Sequence, residues 1–447
     1  MSRRSRASGH PLLKSYRDTF SAVKAGEAVL LDTDFSMVTG SRNGHHCRQL
    51  AYPRVAVYTG SGASHSWIWF ADLLERQGIY DVRFINESYM IEEGLDEFDL
   101  LLVGGGDTYA MAAALGRDGA GAIERHVRGG GLYFGSCAGA YLVLGGVDRE
   151  PFTPFSLVEG DMMNVMDDPP PPRCLEHKYL AGYGDGWVFH PVYGELEISA
   201  ARWVSGFPCF MKSSILHAPL FGGPVMGVED PEEVVAEYSG LTDRAAYPWP
   251  RNDAADFVIG RAAVALARNG EGQAVVSGPH LEHPLFPEAN ALAAEIFLRH
   301  CAGIAHRKPE TAGGNTEMVQ PGTEASLLLE IKRQVSNSRI VGFGLEKMPV
   351  TWKIGLKVWE PEKIRMFLDY AWERLPCLER CAGRIGPVEP LEELASGYSR
   401  VTGMVKSLKM KIEAGEDSLE EASSLLLTLK ELTAGFLSLY FRLRMEG

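Results

Sequence analysis

A cysteine, a histidine and a glutamate in this 447-residue sequence each come shortly after an apolar run of strand length. Cys137 follows the run that begins at Gly131, and His280 and Glu282 follow the run that begins at Gln273. Because catalytic groups in open α/β sheets gather at the carboxyl ends of strands, we expect these side chains to lie close together. A thiol nucleophile, an imidazole base and an orienting carboxylate carry out acyl transfer or hydrolysis. The pattern therefore predicts Cys137, His280 and Glu282 as catalytic residues.

Cys137 lies where the predicted strand turns sharply into a helix. Small residues crowd this bend, namely Gly135, Ser136, Ala138, Gly139 and Ala140. A strand-turn-helix corner exposes its central side chain, and the helix N-terminus favours a thiolate. We therefore expect Cys137 to be the thiol that is most readily alkylated near neutral pH. The alternative interpretation is a buried core cysteine in a glycine-rich turn.

A run of three glycines, Gly104 to Gly106, ends another apolar strand that begins at Asp99. Backbone N–H groups in such a run are open to a ligand and can hold the negative oxygen of a tetrahedral intermediate. We predict that the N–H groups of Gly105, Gly106 and Ala138 form this oxyanion hole.

The order of these motifs resembles the class I glutamine amidotransferase superfamily. The closer resemblance is to the amidotransferase-like domain at the N-terminus of eukaryotic biotin-protein ligases and in stand-alone bacterial proteins. Three segments carry it: Val55–Ser64, Gly135–Tyr141 and Gly272–Glu282. The resemblance spans about residues 51 to 304. It implies an α/β fold with a flavodoxin-like, doubly wound and mostly parallel sheet, and a covalent acyl-enzyme on the cysteine.

The loops around this site supply the predicted substrate-binding residues. They are Gly60, Ser61, Asp107, Tyr109, Phe221 and Gly222. The first two form a tight turn between a strand and a helix, and the last two belong to the middle region, which supplies part of the pocket wall in the resembling family. The turn at Gly60 lacks both the G-x-G-x-x-G spacing and a Walker lysine, so we do not expect nucleotide binding.

Composition limits the partners. The net charge of -14 and the pI of about 5.4 argue against a nucleic-acid or anionic-membrane partner, because phosphate binding needs a basic surface. The seven cysteines show no C-x-x-C pair and no zinc-site spacing. The segment His45–Cys47 and the acidic residues Asp161, Asp167 and Asp168 lack spaced partners, and we interpret both as loops. We predict no metal and no cofactor.

The cellular location is predicted to be cytoplasmic, with reduced thiols. No apolar run approaches the roughly 18 to 20 residues that span a bilayer. The basic segment Ser2–Gly9 is not followed by the apolar region of a signal peptide.

The chain divides into an N-terminal extension at residues 1–50, the amidotransferase-like domain at 51–304, a linker at 305–323 and a helical domain at 324–447. Strands and helices alternate from Arg54 onward, which predicts parallel strands with helices on both faces. The composition of the linker predicts few contacts between the two large domains.

Downstream of the cysteine, strands are predicted at residues 195–204 and 233–238. An Asn-Gly pair after the apolar segment Phe257–Ala267 predicts a hairpin that leads into the strand presenting His280. A helix at Glu288–His300 closes this domain.

The helical domain carries no catalytic motif. Its predicted helices are Ala325–Gln334, Pro361–Arg374, Leu391–Ile412 and Leu419–Arg444. The last helix has two apolar stripes, which require burial on two sides, and Ser418 and Glu421 have capping-box spacing. We expect these helices to form a core or to dock a protein partner or a second copy of the chain.

Three functions remain open. The first is a cysteine amidohydrolase or glutamine amidotransferase-like enzyme that acts on a small amide substrate and supplies a separate partner, because no synthetase motif is found. The second is a non-catalytic scaffold or metabolite-binding regulator. The third is a peptidase of the dipeptidase or cyanophycinase group, which Gly104–Tyr109 and Ser136–Ala140 also resemble. No biotinyl-adenylate motif is found, so biotin ligation by this chain is not expected.

Overall fold

The computed structural model describes residues 53–145, 150–166, 180–183, 186–200, 215–301 and 322–446. The predictions for His45–Cys47, for Asp167 and Asp168, and for most of the linker at 305–323 lie outside these residues. Asp161 lies inside them and is exposed at a short strand.

A parallel sheet with intervening helices forms the first half of the described chain. Its elements are β1 (Val55–Tyr58), α1 (Trp67–Arg76), β2 (Val82–Ile85), α2 (Glu87–Glu92), β3 (Leu100–Val103), α3 (Thr108–Arg128), β4 (Leu132–Ser136) and α4 (Ala138–Val143). All residues of β1, β3 and β4 are buried. Because successive side chains point to opposite faces, both faces of this sheet are covered, as is typical of parallel strands.

The sheet continues into an antiparallel half. The further elements are β5 (Asp161–Met162), β6 (Val165–Met166), β7 (Leu180–Tyr183), β8 (Gly186–Phe189), β9 (Tyr193–Ala200), β10 (Ile215–Leu220), β11 (Met226–Gly227), β12 (Val234–Ala246), α5 (Arg251–Val258), β13 (Ala262–Asn269), β14 (Gly272–Ser277) and α6 (Pro287–Cys301). Strands β6, β8 and β7 make a small separate sheet.

The strand order identifies the fold class. The main sheet runs β10-β9-β12-β13-β14-β4-β3-β1-β2, and the pairs from β14 to β2 are parallel. Read from the other edge, the parallel half has the order 2-1-3-4 followed by β14, which is the flavodoxin-like order. The predicted α/β class with a mostly parallel, doubly wound sheet is confirmed, and the four strands from β13 to β10 extend it antiparallel.

The predicted hairpin before His280 is present with shifted bounds. Residues Phe257 and Val258 end the helix α5, so the strand begins later, at Ala262. The turn follows Asn269, and Gly270 adopts the left-handed conformation with φ 62°, which glycine accepts without strain.

The helical part of the chain contains a small hairpin that the sequence patterns missed. Its elements are α7 (Thr323–Leu345), β15 (Trp352–Ile354), β16 (Lys357–Trp359), α8 (Pro361–Arg380), α9 (Glu389–Ala414) and α10 (Leu419–Glu446). All four predicted helices are found, and each extends beyond its predicted bounds. Each strand of the hairpin has only three residues, one of which is a lysine. Such a run is too short to show the alternation of a strand.

The helical part packs tightly on the α/β part, and the prediction of few contacts between them was wrong. Arg374 of α8 lies between Asp72 and Glu75 of α1, at 3.3 and 2.6 Å from their carboxylates. Lys430 of α10 donates to the backbone oxygen of Gly60 at 2.7 Å. These contacts join the helical part to helix α1 and to the loop after β1.

The two predicted apolar stripes of α10 are buried except at Leu432, which is half-buried. One side packs against other helices of the helical part, while Phe441 packs on Phe84 of β2 with ring centroids 5.7 Å apart. The predicted capping box does not form: Ser418 Oγ accepts a hydrogen bond from Trp352 Nε1, and Glu421 pairs with Lys411. The two side chains that the spacing assigned to the cap therefore contact the hairpin, in the case of Ser418, and α9, in the case of Glu421.

Helix α10 is also long and apolar enough, by length and composition, to be a candidate membrane span, with a mean hydropathy of 1.2 over its most apolar window. Half of that window is buried inside the protein, as in the core helix of a folded domain. By length and composition, the sequence expectation that no apolar run approaches the length of a membrane span was wrong for this helix.

Candidate active site

Cys137 occupies a strained turn between β4 and α4. Its φ is 53° and its ψ is -109°, and it is the only non-glycine residue with positive φ in the described parts of the chain. A Cβ on Gly135 would lie 2.4 Å from the backbone oxygen of Gly139, and one on Gly139 would lie 2.2 Å from the oxygen of Val103. The small residues are therefore needed for the turn, and strained residues of this kind cluster at active sites.

His280 and Glu282 form a buried pair beyond the end of β14. His280 Nδ1 lies 2.7 Å from Glu282 Oε1, and Ser136 Oγ donates to the same carboxylate oxygen at 2.7 Å. His280 is 3% exposed and Glu282 is fully buried. Burial opposes the charged imidazole, but the Glu282 carboxylate and the neighbouring Cys137 thiol outweigh it and raise the pKa of His280 to about 9.

Gly105 brings the loop after β3 against both reacting side chains. A Cβ at this position would lie 2.8 Å from His280 Cε1 and 3.3 Å from Cys137 Cβ. The absence of a side chain is thus required for His280 and Cys137 to approach each other at this point. Cys137, His280 and Glu282 lie at the carboxyl ends of β4 and β14, as the sequence analysis expected.

The predicted oxyanion donors divide into two groups. The N–H of Gly105 donates to Ser66 Oγ at 2.7 Å, so it does not point freely into the site. Within the described residues, no hydrogen bond occupies the N–H groups of Gly106 and Ala138. Ala138 is the first residue of α4, where backbone N–H groups have no partner inside the helix.

One of the predicted substrate-binding residues, Phe221, borders the cysteine, and Gly222 follows it in the chain. The backbone oxygen of Phe221 lies 3.9 Å from Cys137 Sγ, and its ring centroid lies 6.0 Å from that of His280. Gly222 has a φ of 98°, and a Cβ there would lie 3.2 Å from Nε2 of His190. The middle region thus contributes a wall of the site at these two residues.

The other predicted substrate-binding residues are engaged in contacts that hold the loops. Ser61 donates its N–H and its hydroxyl to Glu87, at 3.0 and 2.6 Å. Asp107 Oδ1 accepts from the N–H of Ala110 at the start of α3, and Tyr109 packs on the ring of Phe152. As described above, the oxygen of Gly60 accepts from Lys430.

A family model covers the cysteine half of this site. Residues 53–152 match the family Biotin-protein ligase, N terminal. The resemblance predicted from the motifs is thereby confirmed for this segment, which runs from before β1 to just after α4. His280 and Glu282 lie beyond the segment that matches the biotin-protein ligase N-terminal domain.

Comparisons with other proteins add little. No curated protein matches the chain. A protein from Thermoplasma acidophilum assigned to GMP synthase is 14% identical, with a TM-score of 0.31 over 58% of this chain and 96% of that chain. A β-galactosidase from Bacillus circulans sp. alkalophilus is 17% identical, with a TM-score of 0.30 over 55% of this chain and 31% of that chain. Similarity at this level does not bear on function.

Three side chains that the motifs did not indicate lie around His280. The ring of Trp69 lies 5.0 Å from that of His65, 5.2 Å from His280 and 4.3 Å from His283. His65 is 4% exposed, and neither ring nitrogen has a hydrogen-bond partner among the described residues. Burial holds the pKa of His65 and of His283 well below the usual value, so both are neutral.

The sequence carried one signal for this cluster. His65 directly follows the Gly60–Ser64 turn, and His283 lies three residues after His280. Both therefore follow strands that end at the same edge of the sheet as the predicted triad. Their roles were not predictable because isolated histidines most often belong to a core. Among the described residues, no group of three or more His, Cys, Asp or Glu side chains is arranged to hold a metal ion.

Proposed function

We propose that this chain is a cysteine amidohydrolase of the glutamine amidotransferase-like type that hydrolyses a small amide substrate through a covalent acyl-enzyme. The observation that carries this proposal is the buried His280–Glu282 pair, 2.7 Å apart, beside a cysteine held at positive φ on a strand-turn-helix corner. A nucleophile, a base and a group that fixes the base are the components of acyl transfer.

In the first half of the reaction, the Cys137 thiolate attacks the amide carbon and the carbonyl oxygen becomes an oxyanion. A pKa of about 9 keeps His280 protonated near neutral pH, so it stabilises the thiolate before attack and carries a proton for the leaving amine. Collapse of the tetrahedral intermediate breaks the C–N bond, releases ammonia or an amine and leaves a thioester on Cys137.

In the second half, His280 removes a proton from water, which attacks the thioester carbon. The second tetrahedral intermediate collapses with release of the acid, and the proton returns to the Cys137–His280 pair. Glu282 keeps the imidazole oriented through both halves, since its Oε1 binds Nδ1 of His280 and the hydroxyl of Ser136.

We assign the oxyanion hole to the N–H groups of Gly106 and Ala138. The N–H of Gly105 is used by Ser66, so it drops out of the set that the sequence indicated. Two backbone donors can stabilise a tetrahedral intermediate by on the order of several kcal/mol, as is found for oxyanion holes.

The test is release of ammonia from a panel of small amides, glutamine among them, with Cys137→Ser as the inactive control. Ammonia release that requires Cys137 supports the proposal. The assay is repeated with proteins that co-purify with the chain, because an ammonia-consuming partner can be required for turnover.

A second candidate is a non-catalytic binding module with an amidotransferase-like fold. The observation that favours it is the low exposure of the nucleophile, since Cys137 is only 8% exposed. No ammonia from any amide, together with unchanged partner binding by Cys137→Ala, would support this function. Cleavage of peptides without cleavage of small amides would instead support the peptidase alternative.

A further inference from the structure

The hairpin β15–β16 of the helical part lies against the loop that carries the oxyanion donors. The N–H of Leu356, in its turn, donates to Asp107 Oδ2 at 2.7 Å. A Cβ on the neighbouring Gly355 would lie 2.2 Å from the same oxygen, so only glycine allows this approach. At the other end of the hairpin, the ring of Trp359 lies 6.3 Å from that of His65.

The register of the hairpin decides which side chains face the site. Trp352 pairs with Trp359, Ile354 pairs with Lys357, and Lys353 pairs with Val358. Directly paired residues share a face and successive residues alternate, so Lys357 lies on the face of the buried Trp359 and Lys353 on the opposite face. Accordingly, Lys357 is half-buried and Lys353 is exposed.

Lys357 forms no ion pair within the described part of the chain. The lysines that pair with carboxylates there are Lys332, Lys409 and Lys411. Lys363 of α8, which also has no such pair, is close to Glu360 and Glu362, whose charges partly offset its own. Lys357, on the hairpin face of the buried Trp359, is therefore the stronger candidate of these two lysines to meet a ligand.

The hairpin holds Lys357 between the Asp107 loop, which Leu356 contacts, and His65, which Trp359 contacts. After burial, which is the main cause, the charges of Lys363 and then of Lys357 lower the pKa of His65, and Lys357 also lowers that of His190. His190 borders Gly222, and His65 is joined to His280 through the ring of Trp69. The surroundings of Lys357 thus include two neutral histidines, and the ring nitrogens of one of them, His65, have no hydrogen-bond partner among the described residues.

We propose that Lys357 binds an anionic group, a carboxylate, on the amide substrate, so that the helical part of the chain supplies the substrate specificity of the site. This inference rests on the proposed function, because it names the class of substrate for the same nucleophile. An ammonium without an ion pair beside neutral histidines matches a single negative charge, and the one N–H of the neutral His65 ring can donate to the same group.

The test compares alkylation of Cys137 by iodoacetate, which carries a carboxylate, and by iodoacetamide, which is its neutral amide. The probes have the same leaving group, so the ratio of their rates reports on the charge near Cys137. Adduct formation is followed by peptide mass mapping to separate Cys137 from the other six cysteines. The variants are Lys357→Met, the conservative Lys357→Arg and the matched control Lys353→Met.

We expect Lys357→Met to lower the ratio of the iodoacetate rate to the iodoacetamide rate by roughly fivefold or more, through loss of a nearby charge. Lys357→Arg and Lys353→Met should leave this ratio within about twofold of that of the unaltered protein. An unchanged ratio in Lys357→Met, or an equal fall in Lys353→Met, overturns the inference.

A second measurement uses the unaltered protein and does not depend on a variant that folds. Small carboxylates should protect Cys137 from iodoacetamide in a saturable way, while the matching neutral amides should not, and equal protection by both overturns the inference. Neither measurement needs turnover. If no amide is hydrolysed but the charge preference holds, the proposed function fails and the anion site stands.

Discussion

Two sets of buried charged side chains in this molecule differ in how fully they are paired with hydrogen-bond and ion-pair partners. Arg374, which joins the helical part to the sheet, is 6% exposed and meets two carboxylates and a backbone oxygen, those of Asp72, Glu75 and Tyr370. At the active site, Glu282 uses one oxygen for its hydrogen bonds, and its Oε2 has no partner among the described residues. Buried polar groups are normally satisfied, so the unpaired oxygen of Glu282 contrasts with the fully paired guanidinium of Arg374.

Substitutions in the Arg374 cluster should affect folding, while those at the candidate site should affect binding and chemistry. Removing a member of a saturated buried cluster leaves charges without partners and destabilises the fold. Removing a member of the incomplete cluster at the site should mainly change binding and turnover.

The largest effect is expected from the reacting pair. Cys137→Ala and His280→Ala should each lower turnover by roughly 10⁴-fold or more, and the double variant should be little worse, because the two residues act as a unit. In Cys137→Ala, which leaves the His280–Glu282 pair intact, the free energy of unfolding should change by no more than about 1 to 2 kcal/mol. Ammonia release and thermal unfolding are measured on the same samples, with the half-buried Cys377→Ala as control. Full activity in Cys137→Ala would show that the turn is purely structural.

The opposite outcome is expected at the saturated cluster. Arg374→Met should lower the free energy of unfolding by about 3 to 5 kcal/mol, because Asp72 and Glu75 lose their buried partner. The control is Arg333→Met, whose exposed pair with Glu330 should contribute no more than about 1 kcal/mol. Urea unfolding measures both. Equal stability of the two variants would mean that the helical part does not depend on the buried ion pair.

The limits of sequence-based prediction follow the same division. The buried strands, the cysteine corner and His280 with Glu282 were predictable, since apolar runs, small residues and strand ends are local signals. The docking of the helical part was not, because Arg374 meets Asp72 and Glu75 across 302 and 299 residues, and each of these residues taken singly resembles a surface charge.

The same limit applies to the site. The hydroxyl of Ser66 takes the N–H of Gly105 although the two residues are 39 positions apart, so the glycine run did not reveal which of its N–H groups is occupied. The hairpin that carries Lys357 was missed because two three-residue strands show no periodicity. Local pattern therefore indicated the positions of Cys137 and His280, while the walls around them depended on contacts between distant segments.

The histidines of the site should respond to pH in opposite directions. The pKa of His280 is raised to about 9, so its contribution to stability is complete below the unfolded value of about 6.5 and is lost as the pH rises to about 9. Burial lowers the pKa of His190 to about 4, so its contribution is present above about pH 6.5 and is lost as the pH falls.

Glu282→Gln separates these two limbs. It removes the carboxylate that favours the protonated His280, so the loss of stability between about pH 6.5 and 9, at most about 1.4 kcal/mol for each pH unit, should become shallower. The acid limb, which depends on His190 and its neutral neighbours, should keep its slope. Urea unfolding from pH 4 to 10 measures both, and an unchanged alkaline limb would contradict the role given to Glu282.

The smallest effect concerns the boundary between the occupied and the free backbone donors. Ser66→Ala removes the acceptor of the Gly105 N–H and should lower the free energy of unfolding by about 1 kcal/mol. Turnover should stay within about tenfold of the unaltered enzyme, because Gly106 and Ala138 hold the oxyanion in our assignment. The matched control is Ser64→Ala, whose hydroxyl donates to the carbonyl of Gly105 and leaves the N–H occupied. If Ser66→Ala turns over faster than Ser64→Ala, the released N–H of Gly105 serves the oxyanion, and Ser66 acts as a restraint on a third donor.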